Sequence, residues 1–182
     1  MNSKTVAIVA TVMAFILALC VVVPISEESE AADYNNISDS QSLKETISTI
    51  TNAIASQPDS TTRGTYNITI TSDIELDSLD LDFGGERTEK RTYTINLNIG
   101  TKEDPKTLTL SGTGTGPGIT IANNGLDSIT INIRYGNIVD NRTSTTDPMS
   151  SISIQGPGDG TGTTNATLLN MNVSFTVPST SE

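Results

Sequence analysis

Residues 92–99 read TYTINLNI, and this stretch decides the fold class of the chain. Tyr93, Ile95, Leu97 and Ile99 alternate with threonine and asparagine. Because successive side chains of a β-strand point to opposite faces, the alternation predicts a strand with one apolar and one polar face. The same period recurs on both sides of this stretch, so the protein is predicted to be mostly β.

Turn-forming residues separate the alternating segments, each of which is predicted to be a strand. The predicted strands cover residues 67–71, 74–83, 92–99, 107–110, 118–121, 128–133, 137–139, 151–154 and 168–177. Similar segments recur at 21 to 24 positions; Ile95 and Ile119 are 24 apart, and Ile131 and Ile154 are 23 apart. A repeat of this length favours stacked coils, each built of short strands.

The sequence pattern therefore predicts a short right-handed parallel β-helix of roughly four coils. Only 4% of the residues are aromatic, which agrees with a narrow interior that has little room for rings. A β-sandwich also contains short alternating strands at close spacing, and it stays open as the alternative fold.

A helix is predicted before the first strand. Its apolar residues recur at spacings of four, three and four, which places them on one helix face. Ser42 and Glu45 have the spacing of a capping box, and Pro58 ends the pattern. We expect this helix to cap the open apolar end of the coils. The face consists of Leu43, Ile47, Ile50 and Ile54.

The composition excludes several classes of function. The 182 residues include 10 Lys+Arg and 21 Asp+Glu, for a net charge of −11, so no basic patch for nucleic acid is expected. There is no histidine, and Cys20 is the one cysteine. Catalysis by histidine, cysteine-rich zinc sites and intrachain disulfides are thereby excluded. We expect no cofactor and no bound metal.

Residues 6–25 are almost wholly apolar and follow Lys4, the pattern of an export signal. Their length lies between that of a cleaved leader and the roughly 20 residues that span a bilayer. Pro24 and the small residues of Ser29–Ala32 favour cleavage. If the leader is retained, it is the expected membrane contact, and in both cases the rest of the chain is extracellular or at the cell surface.

The predicted organisation has four parts. Residues 1–31 are a signal peptide or membrane anchor, and residues 32–60 are a polar lead-in with the capping helix. Residues 61–178 are the strand domain, and residues 179–182 are a polar tail.

Carboxylates alternate with leucines in residues 74–83. We call Asp77, Asp80 and Asp82 the acidic comb. Outward carboxylates on strands can bind calcium or act as acid and base across a groove. A solvated polar face explains them more simply, because every non-core position of an alternating strand is polar, and we assign no catalytic residue.

Five Asn-x-Ser/Thr sequons occur in the chain. The abundance of asparagine, serine and threonine accounts for this number. Asn141 and Asn165 are the preferred glycosylation positions because both are predicted to lie in loops.

Three stretches carry a resemblance to a known family. They are Glu27–Tyr34 after the apolar leader, the helical residues Leu43–Ile47, and Thr69–Leu76 at the first strands. With them the chain resembles the adhesin-like surface proteins of methanogenic archaea, which carry pectin-lyase-like right-handed β-helices. The resemblance implies export, surface display and binding to polysaccharides or cell-surface glycoproteins.

We therefore expect an exported, non-enzymatic, adhesin-like protein. Two alternatives stay open: a secreted carbohydrate-active enzyme, either a polysaccharide lyase or a glycoside hydrolase, and a membrane-tethered structural subunit of a pilus or surface layer. An enzyme needs carboxylates that converge in one groove, whereas an adhesin needs only a broad exposed strand face.

Overall fold

A computed structural model describes residues 28–57, 61–84, 91–113, 116–124, 128–143, 150–156 and 162–175. The apolar leader with Cys20 and the expected polar tail lie outside these residues. Within the described ranges, no helix is both long enough and apolar enough to cross a membrane.

The described part of the chain is mostly β, with twelve strands and one helix. The helix α1 spans Ser40–Ser56. The strands are β1 Glu28–Ile37, β2 Thr61–Ile70, β3 Ile74–Leu76, β4 Leu79–Gly84, β5 Thr92–Ile99, β6 Thr107–Leu110, β7 Ile119–Asn124, β8 Ser128–Arg134, β9 Asn137–Asp140, β10 Ile152–Ile154, β11 Thr163–Leu169 and β12 Asn172–Phe175.

These strands form three sheets. The order is β1-β2-β5-β8-β11 in the first sheet, β3-β6-β9-β12 in the second and β4-β7-β10 in the third. From β2 onward the chain visits the first, second and third sheets in turn, and we call one such passage a round. Every pairing between these strands is parallel, whereas a β-sandwich is built of antiparallel sheets.

The registers join residues that are one full round apart. Ile95 pairs with Tyr66, 29 positions before it, and with Ile131, 36 positions after it. The predicted repeat of 21 to 24 residues is therefore wrong. It linked strands of different sheets, since Ile95 lies in the first sheet and Ile119 in the third. An alternating pattern is the same in all three sheets, so the pattern alone cannot select the neighbouring strand.

The core consists of apolar columns that run from round to round. Ile68, Leu97 and Ile133 are consecutive partners in the first sheet, and all three are fully buried. In β8 the buried and half-buried positions alternate along the whole strand. The predicted apolar face of these strands is confirmed.

Two predicted strands are each broken by a corner. The segment 74–83 breaks after Leu76, and the segment 168–177 breaks after Leu169, where the chain moves to the next sheet. The predicted inward facing of Leu169 is also wrong. It pairs with Arg134 on the outward row, while Leu168 pairs with the buried Ile133.

The polar lead-in predicted at residue 32 is instead part of a strand. β1 pairs in parallel with β2, and it extends across the predicted boundary at residue 31. Alternation did not reveal β1, because much of its sequence, ESEAADYNNI, is charged or polar. The first sheet thus begins before the helix.

The predicted helix is confirmed, with a different N-cap. Asp39, not Ser42, is the N-cap: its carboxylate accepts from the backbone N of Ser42 at 2.8 Å, and the Ser42 hydroxyl accepts from the backbone N of Asp39 at 3.3 Å. Gln57 after the helix is extended, as expected for a residue before proline. α1 packs against β1–β4, burying Leu43, Thr46, Ile47, Ile50 and Ile54.

Candidate functional site

The acidic comb does not converge on one point. Asp77 lies at the corner between β3 and β4, 3.1 Å from Lys44 Nζ, and the hydrogen bond from Lys44 lowers the pKa of this carboxyl. Asp80 and Asp82 are exposed on the outward face of β4. No group of three or more metal-ligating side chains occurs among the described residues. The comb is an exposed acidic surface that extends from a corner into the third sheet.

The two preferred sequons are both exposed, but in different settings. Asn141 directly follows β9, and its backbone N donates to the carbonyl of Leu110 at 2.8 Å. Asn165 lies inside β11, where it pairs with Thr130, so its predicted loop placement is wrong. Glycosylation at both positions stays a prediction.

A groove of about 440 Å³ lies between α1 and β4. Lys44 and Asn52 of the helix line one side, and Ser78 and Asp80 line the other. The groove brings one residue of the acidic comb close to a lysine. It has no aromatic residue in its lining, and this limits the apolar contact that it can offer to a ligand.

A smaller pocket of about 180 Å³ lies where the chain passes from the first to the second sheet. We call it the corner pocket. Residues from three successive rounds contribute to it, since its lining comes from the connections β5–β6, β8–β9 and β11–β12. Its side chains are those of Lys102, Pro105, Tyr135, Asn137, Asn170 and Asn172.

Two equivalent corners form one wall of the corner pocket. β8 and β9 are joined by Tyr135 and Gly136, and β11 and β12 by Asn170 and Met171. The backbone N of Tyr135 donates to the carbonyl of Leu169 at 3.2 Å. Because the flanking strands pair in register, the two corners stack directly on each other.

Both corners contain a residue in the left-handed region. Tyr135 has φ of 73° and Asn170 has φ of 55°. Asparagine tolerates this conformation, whereas a bulky residue such as tyrosine is rare there and costs of order 1–3 kcal/mol. Gly136 has no alternative, since a Cβ on it would lie 2.4 Å from the Ile99 carbonyl. The ring of Tyr135 is thus held at the pocket at a conformational cost.

Amide side chains along the pocket are connected by hydrogen bonds. Asn172 Nδ2 donates to Asn137 Oδ1 at 3.0 Å, and Asn137 Nδ2 donates to Thr107 Oγ1 at 3.5 Å. These bonds orient the amides beside the ring. Lys102 adds a positive charge to the pocket of a chain whose net charge is −11.

A second amide ladder runs across the outward face of the first sheet. Asn67 Nδ2 donates to Asp33 Oδ1 at 2.7 Å, Asn96 to Asn67 at 2.7 Å, and Asn132 to Asn96 at 2.9 Å. Each of these residues pairs with the next in the sheet register. The ladder satisfies its own amides, so we assign it a structural role.

Sequence reasoning did not find the corner pocket. Tyr135 and Asn170 are 35 residues apart, and only the register of β8 with β11 brings their corners together. The available signal was an asparagine shortly after the end of an alternating segment, since asparagine favours left-handed corners.

The chain has no match among the known family models, the curated proteins or the solved structures with which it was compared.

Proposed function

We propose that this chain is a right-handed parallel β-helix displayed outside the cell, and that it binds glycans in the corner pocket without cleaving them. The cyclic order of the three sheets supports the β-helix, because each round places its strands in parallel beside those of the preceding round. Crossovers between parallel strands of one sheet are right-handed in nearly all proteins, which supports the handedness.

The strained placement of Tyr135 is the observation that carries the glycan proposal. The equivalent corner one round later uses asparagine, which adopts the same backbone at lower cost. A tyrosine ring in that position offers a flat apolar surface. A sugar ring presents C–H groups on its faces and hydroxyl groups around its edge. The Tyr135 ring suits the face, and the amides of Asn137 and Asn172 suit the hydroxyls.

The size and chemistry of the corner pocket support binding to one part of a longer chain. Pockets for drug-sized ligands start at roughly 300 Å³, so this smaller pocket suits a single sugar unit of a polysaccharide. Lys102 favours units that carry a carboxylate. None of the described residues lining the pocket is an Asp or Glu, whereas glycoside hydrolysis ordinarily uses a pair of carboxyl groups.

The test is retention of the full chain, in a non-ionic detergent, on a panel of immobilised neutral and acidic polysaccharides. We expect retention by at least one acidic polysaccharide, with no release of shorter products. Tyr135→Asn removes the ring but keeps a residue that tolerates the corner, and it should weaken retention about tenfold, the equivalent of about 1.4 kcal/mol.

Asn165→Gln is the matched control, because it changes an exposed amide of β11 that does not line the pocket. Its retention should equal that of the unmodified chain. Unchanged retention of Tyr135→Asn would rule out the corner pocket as the binding site. Release of shorter saccharides would replace the adhesin proposal with an enzymatic one.

A further inference from the structure

The last strand of each sheet leaves apolar side chains uncovered. We call β10, β11 and β12 the open end. Leu168, Val173 and Ile154 continue columns of fully buried residues, yet they are 47%, 41% and 54% exposed. They face the interior of the stack, and no further round is present among the described residues to cover them.

The open end is also uncharged. The described residues 150–156 and 162–175 include no aspartate, glutamate, lysine or arginine. Elsewhere the chain is strongly acidic, with a net charge of −11. Two copies of this chain therefore repel each other over most of their surface, and the open end is a place where they can approach without like-charge repulsion.

The opposite end of the stack does not suit a second copy. α1 covers β3 and β4, so the second and third sheets present no free apolar end there. In the first sheet the edge strand β1 bears Glu30 and Asp33, and charged side chains on an edge strand oppose pairing with another chain. Association of the open end of one copy with the helix-covered end of another is thereby disfavoured.

We propose that two copies of this chain associate through their open ends, with β11 of one copy antiparallel to β11 of the other around a twofold axis. A twofold contact uses the same surface on both copies, so it needs a self-complementary patch, and an uncharged apolar end is self-complementary. The contact would continue the first sheet across the interface and cover Leu168, Val173 and Ile154 with their counterparts. This inference is independent of the glycan proposal.

Cysteine cross-linking of the full chain in detergent tests the contact. In a Cys20→Ser background, a single cysteine replaces Asn165, Thr167 or Leu169, three outward positions of β11. We expect mild oxidation to give a disulfide-linked dimer, of twice the 19.2 kDa chain mass, in at least one of these variants. The matched control is Asn35→Cys in the same background, an exposed position on the edge strand β1.

Leu168→Lys, added to the cross-linking variant, should abolish the dimer because it places two ammonium groups at the contact. Ala55→Lys adds the same charge to an exposed position of α1 and should leave the dimer unchanged. The apolar leader is common to all variants, so association through it cannot produce these differences. Absence of dimer at all three β11 positions, an equal yield from Asn35→Cys, or persistence of the dimer with Leu168→Lys would each overturn the proposal.

Discussion

The first and last strands of the stack have similar inward residues and very different exposure. At the end covered by α1, which we call the capped end, Leu79 is 1% exposed and Ile74 is 3% exposed. At the open end, Leu168 is 47% exposed although its side chain continues an aliphatic column. The difference comes from the layer above each strand: α1 covers the first, and no described residue does the same for the last. Burial in this architecture is therefore a property of the neighbouring layer.

Polar contacts show the same contrast. At the capped end, Arg91 is 1% exposed, and its guanidinium donates to the carbonyls of Ile54 at 3.5 Å and Gln57 at 3.2 Å. These carbonyls are at the C-terminus of α1, where helices leave acceptors without intrahelical donors and favour positive charge. A buried arginine thus ties the cap to the first round.

Toward the open end, a second buried arginine ties the rounds together. Arg142 is 3% exposed and forms an ion pair with Asp140 at 2.8 Å. It also donates to the carbonyl of Ser150 at 3.2 Å, just before β10. The guanidinium thus holds the entry to the last strand of the third sheet, where no helix is described.

The largest expected effect comes from placing a charge in the middle of the stack. Ile131 is fully buried between Ile95 and Ala166, so Ile131→Asp should cost about 5 kcal/mol or more and unfold the domain. Leu168→Asp, on the next strand of the same sheet, should cost far less because its carboxylate reaches solvent. Circular dichroism melting of both variants measures the difference. A native melting temperature for Ile131→Asp would show that its inward facing is wrong.

The buried ion pair should rank next. Arg142→Ala leaves the Asp140 carboxylate buried without its guanidinium partner and should lower the free energy of unfolding by about 3–5 kcal/mol. Urea unfolding at pH 7 measures this loss. Lys106→Ala is the control, since the ion pair of Lys106 with Asp104 is exposed on the carboxylate side. Equal losses for the two variants would contradict the importance given to burial.

The same ion pair predicts a pH dependence. The hydrogen bonds from Arg142 hold the pKa of Asp140 below its usual range. In the unfolded chain an aspartate titrates near pH ~3.9, so this stabilisation is complete above that pH and is lost as pH falls through the lower folded-state pKa. Asp140→Asn should lose stability at pH 7 but show a smaller further loss on acidification. Urea midpoints across this range would refute the account if both proteins responded equally.

A truncation at each end should separate the two layers directly. Ile50→Ala removes a fully buried side chain of α1 and should cost about 2–5 kcal/mol. Val173→Ala shortens a side chain that is 41% exposed at the open end and should cost less than about 1 kcal/mol. Parallel urea titrations at low protein concentration compare them. Similar costs would mean that the open end is covered as well as the capped end.

The smallest effect is expected at the surface of the capped end. Lys44 and Asp77 form an ion pair in which both side chains are at least half exposed. Such pairs contribute little to stability because water and salt screen them. Lys44→Ala should leave the melting temperature unchanged within error. A clear loss would indicate that the cap depends on surface charge as well as on the apolar face of α1.

Several elements could be predicted from the sequence because their signal is local. β5 and β6 have the predicted bounds, since in each of them polar residues alternate with buried aliphatic ones. The apolar face of α1 followed from its spacing. β1 was missed because an edge strand with glutamate and aspartate shows no apolar period, and the corner after Leu169 was missed because Leu169, Met171 and Val173 continue an alternation through it.

The candidate site was beyond sequence reasoning for a different reason. Tyr135 and Asn172 have no local motif in common, and their corners meet only because β8 pairs with β11 and β9 with β12. The acidic comb had a local pattern, but a pattern along one segment does not show whether its carboxylates converge. Convergence depends on the corner at Asp77.

By itself, the sequence determined that the chain is mostly β, which faces of most strands are apolar, and that one amphipathic helix comes before β2. These properties follow from periods of two and 3.6 residues, which are set by backbone geometry within a segment. Only the tertiary structure decided which strand lies beside which, which of the inward residues stay exposed, and where Tyr135 meets its amide neighbours. Those outcomes depend on pairing across 29 to 36 residues in the first sheet, where connection length and register act and local periodicity carries no information.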